Sequence, residues 1–131
     1  MNKQSDVTQL EGTVTAFSGN GRSLGYPTAN LTSITTLKDG VYFGYADLDK
    51  YQNNPALIFV GVPTTVGDTK RRVEAHLLDI IDKDYYGQHL NIRVHRFFRP
   101  NKKFASLDEL LIAIRADEVA GREWFNRHKL A

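Results

Sequence analysis

Residues 19–31 read Gly-Asn-Gly-Arg-Ser-Leu-Gly-Tyr-Pro-Thr-Ala-Asn-Leu, and no other part of the chain holds so much chemistry in so few positions. Three glycines, one arginine, a rigid proline and two short polar side chains are too irregular in type for a helix or a strand. A loop of this composition brings bare backbone N–H groups and small oxygen ligands close to a phosphate, because glycine has no Cβ to hold it off. The spacing fits neither the Walker A loop nor the dinucleotide fingerprint, so the pattern points to phosphate handling without naming a class. Thr28 and Asn30 have a second reading, as an ordinary turn whose side chains bond their own backbone. Histidines 76, 89, 95 and 128 show no metal-ligand spacing, and their expected places are strand faces and a helix end.

The elements that must hold this loop read mostly as strands. Residues 7–17 carry β-branched side chains interrupted by Gly12, which predicts a strand with a bend. A Lys38-Asp39-Gly40 turn leads into a strand over 41–48, and Gln52-Asn53-Asn54-Pro55 reads as a turn before another at 56–60. Residues 61–69 read as a glycine-containing loop and a candidate lid. Over 72–79 the pattern alternates, with Val73, Ala75 and Leu77 on one face and Glu74, His76 and Leu78 on the other. Glu74 on such a face reads as a solvated partner of Arg72. Residues 82–87 read as a turn, and residues 89–98 alternate in the same way. Ser106-Leu107-Asp108-Glu109 has the form of a capping box, and Leu107, Leu110, Leu111 and Ile114 follow at helical spacing, so a helix is expected to about His128. Gly121 weakens that helix on propensity alone. Short strands followed by one helix predict a mainly β domain, with an antiparallel barrel favoured because closure removes exposed edges.

The chain has 131 residues, 41% of them hydrophobic, which allows one core and predicts a single domain over 1–131 with 1–6 as a loose tail. With 17 basic and 15 acidic residues interspersed, the balance gives no reason to expect nucleic acid. A small barrel stacking bases on Tyr42, Phe43 and Tyr45 is the nucleic-acid reading, and the mixed charge argues against it. The absence of cysteine excludes a disulfide framework and a thiolate metal site. No long apolar run predicts a membrane span, and residues 1–7 carry no signal-peptide pattern. The expected compartment is the cytoplasm.

Leu24-Gly25-Tyr26-Pro27-Thr28-Ala29-Asn30-Leu31 resembles the signature loop of the riboflavin kinase family. The likeness continues, in the family's order and at about its spacing, through Gly40-Val41-Tyr42, Glu74-Ala75-His76-Leu77, Tyr86-Gly87, Arg99-Pro100 with Lys102 and Phe104, and helix positions 107, 110, 114 and 117. The resemblance implies a closed six-stranded antiparallel, Greek-key-like barrel with a long C-terminal helix. It also implies transfer of the γ-phosphate of ATP to the ribityl 5′-hydroxyl of riboflavin, giving ADP and FMN, with Mg²⁺ or another divalent cation. Family members often form one half of a bifunctional protein beside an adenylyltransferase domain. This chain has no room for that domain, so it reads as a stand-alone kinase or an excised half.

By the same resemblance, Thr28 and Asn30 hold the metal and Glu74 is the catalytic carboxylate. Gly19, Gly21, Arg22, Thr28, Asn30, Asp79 and Tyr86 line the nucleotide side. Arg99, Lys102, Phe104 and Leu110 line the flavin side. Leu110 is also required by the helix stripe, and Arg22, Asp79 and Tyr86 read equally as surface or packing residues. Three departures bear on function: Phe17 stands where the family usually has glycine, Phe59 where a polar residue is common, and Asn101 where Glu is common. They leave open a flavin- or nucleotide-binding module of the same fold with weak or no kinase activity.

Overall fold

The computed structural model describes residues 7–15, 29–31 (the first two by backbone alone), 35–62, 71–81, 83 and 85–128. Among these residues six strands, β1 (Thr8–Thr13), β2 (Ala29–Leu31), β3 (Gly40–Leu48), β4 (Tyr51–Gly61), β5 (Arg72–Leu77) and β6 (His89–Arg99), precede one helix, α1 (Leu107–Arg127). The strands form a single antiparallel sheet in the order β1-β6-β3-β4-β5-β2. No helix among the described residues is long and apolar enough to cross a membrane.

One face of the sheet is dry. Leu31, Leu48, Ile58, Val60, Val73, Leu90 and Ile92 are almost fully enclosed there. Period-two alternation puts them on that face: β5 alternates half-buried and buried along its length, with Val73, Ala75 and Leu77 inside and Arg72, Glu74 and His76 outside. The sheet curls far enough for its edge strands to touch, since a Cβ on Gly12 of β1 would lie 3.1 Å from Cδ2 of Leu31 on β2. Edge β1 bonds β6 and edge β2 bonds β5, and no backbone ladder joins the two edges among the described residues. The expected closed barrel is therefore seen as a strongly curled six-stranded sheet.

One expectation is corrected. The turn anticipated at 52–55 lies instead at Asp49–Lys50, where Asp49 has φ 56°, and β4 begins at Tyr51. Pro55 is tolerated inside β4 because the register with β5 starts only at Ala56, so its missing N–H interrupts no ladder there. Tyr42, Phe43 and Tyr45, considered for base stacking, are 4%, 2% and 5% exposed, so their rings are not available to a nucleic acid.

Helix α1 starts as the capping box predicts: the Glu109 N–H donates to Ser106 Oγ at 3.2 Å, and Glu109 Oε1 accepts from the Ala105 N–H at 3.1 Å. The helix lies on the outer face, where Phe125 and Trp124 pack on Phe43, Tyr45 and Leu57. Gly121 lies where the helix comes close to the sheet. A Cβ there would sit 2.8 Å from Leu57 Cδ2 and 3.2 Å from Phe43 Cε1. Its cost in helix propensity is offset by contact that no larger residue allows.

Candidate active site

Glu74 is half-buried on the outer side of β5 and lies in a row that crosses five strands. The register sets Asn30 of β2 opposite Glu74, Glu74 opposite Phe59 of β4, Phe59 opposite Val41 of β3, and Val41 opposite Arg99 of β6. Directly opposed residues in an antiparallel sheet share a face, and neighbouring strands are about 4.8 Å apart. The backbone of the expected metal ligand Asn30 is thus one strand spacing from the expected base. Arg99 reaches this row through a bulge. Tyr42 pairs with Phe97 while Val41 pairs with Arg99, so Phe98 is the extra residue. The Phe98 ring stacks on Phe43, with centroids 4.7 Å apart.

At the Arg99 end the row meets the helix. Arg99 Nε and Nη2 each donate to a carboxylate oxygen of Asp117 at 2.7 Å, and Nη1 donates to the Pro100 carbonyl at 3.1 Å. Asp117 is only 5% exposed. The guanidinium expected on the flavin side is thus committed in this structure to fixing α1 beside the row. Lys102 is exposed, with Nζ 5.7 Å from the centre of the half-buried Phe104 ring, and Leu110 is half-buried on α1. Sequence reasoning matched Asp117 to the family but gave it no role. The signal was present: a carboxylate three residues past Ile114 falls on the helix's apolar stripe, where a charge needs a partner.

Tyr86 and Asp79 lie apart from this row, on turns before β6 and after β5. The turn holding Tyr86 is bonded to Val14, which lies at the end of β1 from which the glycine-rich stretch departs. The Val14 N–H donates to the Gln88 carbonyl at 2.8 Å and the Gly87 N–H to the Val14 carbonyl at 3.0 Å. Tyr86 itself is 64% exposed. Asp79 follows β5 in a left-handed conformation, φ 64°, and takes both Nη groups of Arg122 at 2.9 and 3.0 Å. Those bonds hold its carboxyl below the ordinary carboxylate range and push the Arg122 guanidinium up, helped by Glu118. Asp79 therefore joins the turn after β5 to α1. Gly19, Gly21, Arg22, Thr28 and Phe17 lie outside the described residues, as does most of the candidate lid.

The chain was compared with known proteins. A family profile described as Flavokinase: Riboflavin kinase matches residues 5–125. The chain belongs to the riboflavin kinase family. It is 29% identical over 110 residues to the human protein named riboflavin kinase, covering 79% of this chain and 71% of that one. Over 118 residues it is 35% identical to a bifunctional riboflavin kinase/FMN adenylyltransferase of Escherichia coli K12, covering 85% of this chain but only 36% of the relative's length. The crystal structure of riboflavin kinase from Trypanosoma brucei shares the fold, with a TM-score of 0.69 and 23% identity over 92% of this chain and 78% of that one. In this riboflavin kinase family chain, Glu74 and the Asn30 end of the glycine-rich stretch stand on adjacent strands.

Proposed function

We propose that the chain transfers the γ-phosphate of ATP to the 5′-hydroxyl of riboflavin, giving FMN and ADP. The observation that carries this reading is the opposition of Asn30 and Glu74 across β2 and β5. Phosphoryl transfer asks mainly for positioning and charge neutralisation. Glu74 accepts the hydroxyl proton as the ribityl oxygen bonds to the γ-phosphorus and the bond to the ADP oxygen breaks. Thr28 and Asn30 would hold Mg²⁺, and their neutral hydroxyl and amide oxygens suit a hard cation that arrives on nucleotide phosphates. When bound, that ion neutralises charge on the transferring group. Gly19, Gly21 and Arg22 receive the phosphates, and Asp79 and Tyr86 border the nucleotide. Lys102, Phe104 and Leu110 receive the flavin, with Arg99 holding the helix against it.

The same reading takes 1–131 as one domain working in the cytoplasm. The contact of Leu31 with Gly12 supports a sheet that closes into a barrel. The low coverage of the bacterial relatives supports an adenylyltransferase domain as partner if this is an excised half. The experiment is incubation with riboflavin, ATP and Mg²⁺ followed by chromatographic separation of the flavins. FMN that depends on ATP supports the kinase. The position of Phe59, an aromatic opposite Glu74, favours as second reading a binding module of the same fold, which would retain flavin and form no FMN.

A further inference from the structure

Beyond the row itself, three segments meet at one glycine. Gly61 ends β4 opposite Arg72 at the start of β5, two residues from Glu74. A Cβ on Gly61 would lie 2.2 Å from Asn101 Nδ2 and 3.4 Å from the Asp39 carboxyl. Asn101 Nδ2 donates to the Val60 carbonyl at 2.9 Å, tying the β6-to-helix segment to the end of β4. Its Oδ1 is buried without a hydrogen-bond partner among the described residues. An unpartnered buried acceptor is unfavourable, so the Val60 bond and the fit over Gly61 must outweigh it.

Arg71, the residue before β5, makes the other tie. Its Nε donates to Asp39 Oδ1 at 2.8 Å, Nη1 to the Thr35 carbonyl at 3.1 Å and Nη2 to the Leu37 carbonyl at 2.5 Å. The exposed Arg71–Asp39 pair alone would matter little. Two backbone carbonyls on the same guanidinium make it a three-point clamp that a lysine cannot copy. The clamp grips the 35–39 segment between β2 and β3, and β2 carries Asn30.

We propose that Arg71 and Asn101 are positioning residues for phosphoryl transfer. Through Gly61 they fix where the chain leaves β4 and enters β5, and so fix the Glu74 carboxylate relative to Asn30. The inference rests on the kinase reading above. A carboxylate at position 101 has no N–H and could not donate to the Val60 carbonyl.

The test compares Arg71→Lys and Asn101→Asp with the parent. Steady-state kinetics for riboflavin and ATP, melting temperature, and hydrogen exchange of the β5 amides are read together. Displacing a reacting group by a fraction of an ångström to one ångström costs up to about a hundredfold, so kcat should fall about tenfold in each variant, with each KM within about twofold. Melting temperature should barely move in Arg71→Lys and should fall in Asn101→Asp, whose carboxylate faces the Val60 carbonyl, so kcat is taken per folded molecule; amides of 72–77 should exchange faster while those of β3 and β6 keep their protection. Unchanged kcat, or a loss matched by loss of folded protein, overturns the proposal. If the parent forms no FMN, the kinase reading falls, and hydrogen exchange alone judges the clamp: faster exchange in β5 supports it and unchanged protection overturns it.

Discussion

The two faces of the sheet do different work. The inner face is built mostly from aliphatic side chains on all six strands, with the rings of Tyr42 and Tyr85 among them, and none of its buried members among the described residues carries a charge. The outer face holds rings, ion pairs and the candidate site. Arg93 there grips Asp47 at 2.8 and 3.0 Å, Arg99 grips Asp117, and Arg122 grips Asp79. Volume alone secures the inner face, so a change there should act on stability and leave the chemistry of the remaining folded molecules intact. Direction matters on the outer face, where a substitution that preserves volume but alters charge should act on turnover or on helix placement. The comparison teaches that the candidate site lies on the face whose contacts are directional, away from the aliphatic interior.

The sharpest way to break that separation is Glu74→Gln. General-base help is worth about 10²- to 10⁴-fold, so FMN formation should fall by that order while the melting temperature stays put. Activity equal to the parent's would remove Glu74 from the reaction. Next is Ile58→Ala on the inner face, expected to cost about 2–5 kcal/mol in urea unfolding, with kcat per folded molecule unchanged. A large change in kcat would show that the two faces are coupled. Asp117→Ala should cost about 2–4 kcal/mol, since it leaves the Arg99 guanidinium partly buried without its carboxylate, and should also raise KM for riboflavin through a shifted helix. A loss of stability with unaltered KM would confine the pair to the fold.

The smallest effect concerns acid. Hydrogen bonding from Arg93 holds the Asp47 carboxyl below its ordinary value of 3.8. A carboxyl depressed in the folded state adds stability that is complete above the unfolded value and disappears as pH falls through the folded one. Below about pH 4, the parent should therefore lose stability more steeply than Asp47→Asn. Parallel acid limbs would show that the pair contributes nothing to folding.

Much of the scaffold was legible in the residues. Alternation at 72–77 and 89–98 and the Ser106–Glu109 box each produced the expected element because a local signal carried it. The beginning of β4 was hidden by Asn53, Asn54 and Pro55, whose turn preference loses to a strand already paired with β3. Gly121 looked like a flaw because its value lies in contact with Leu57 and Phe43, residues far away in sequence. For the site, the motif around Asn30 and the position of Glu74 could be read from the family resemblance. Their opposition depends on long-range register, which no short window contains. The bulge at Phe98 and the partner of Arg99 were hidden for the same reason.

Helix α1 is held along its length by Asp117 on β6, by Gly121 against β3 and β4, by Arg122 on the turn after β5, and by Phe125 and the His128 carbonyl on β3. A pull on its C-terminal end would first have to break the bond from the Tyr45 hydroxyl to the His128 carbonyl, then tear away Phe125 and then Arg122. The Asp117 anchor, beside the row, would be the last to yield, so mechanical load from that side is absorbed before it reaches the candidate site.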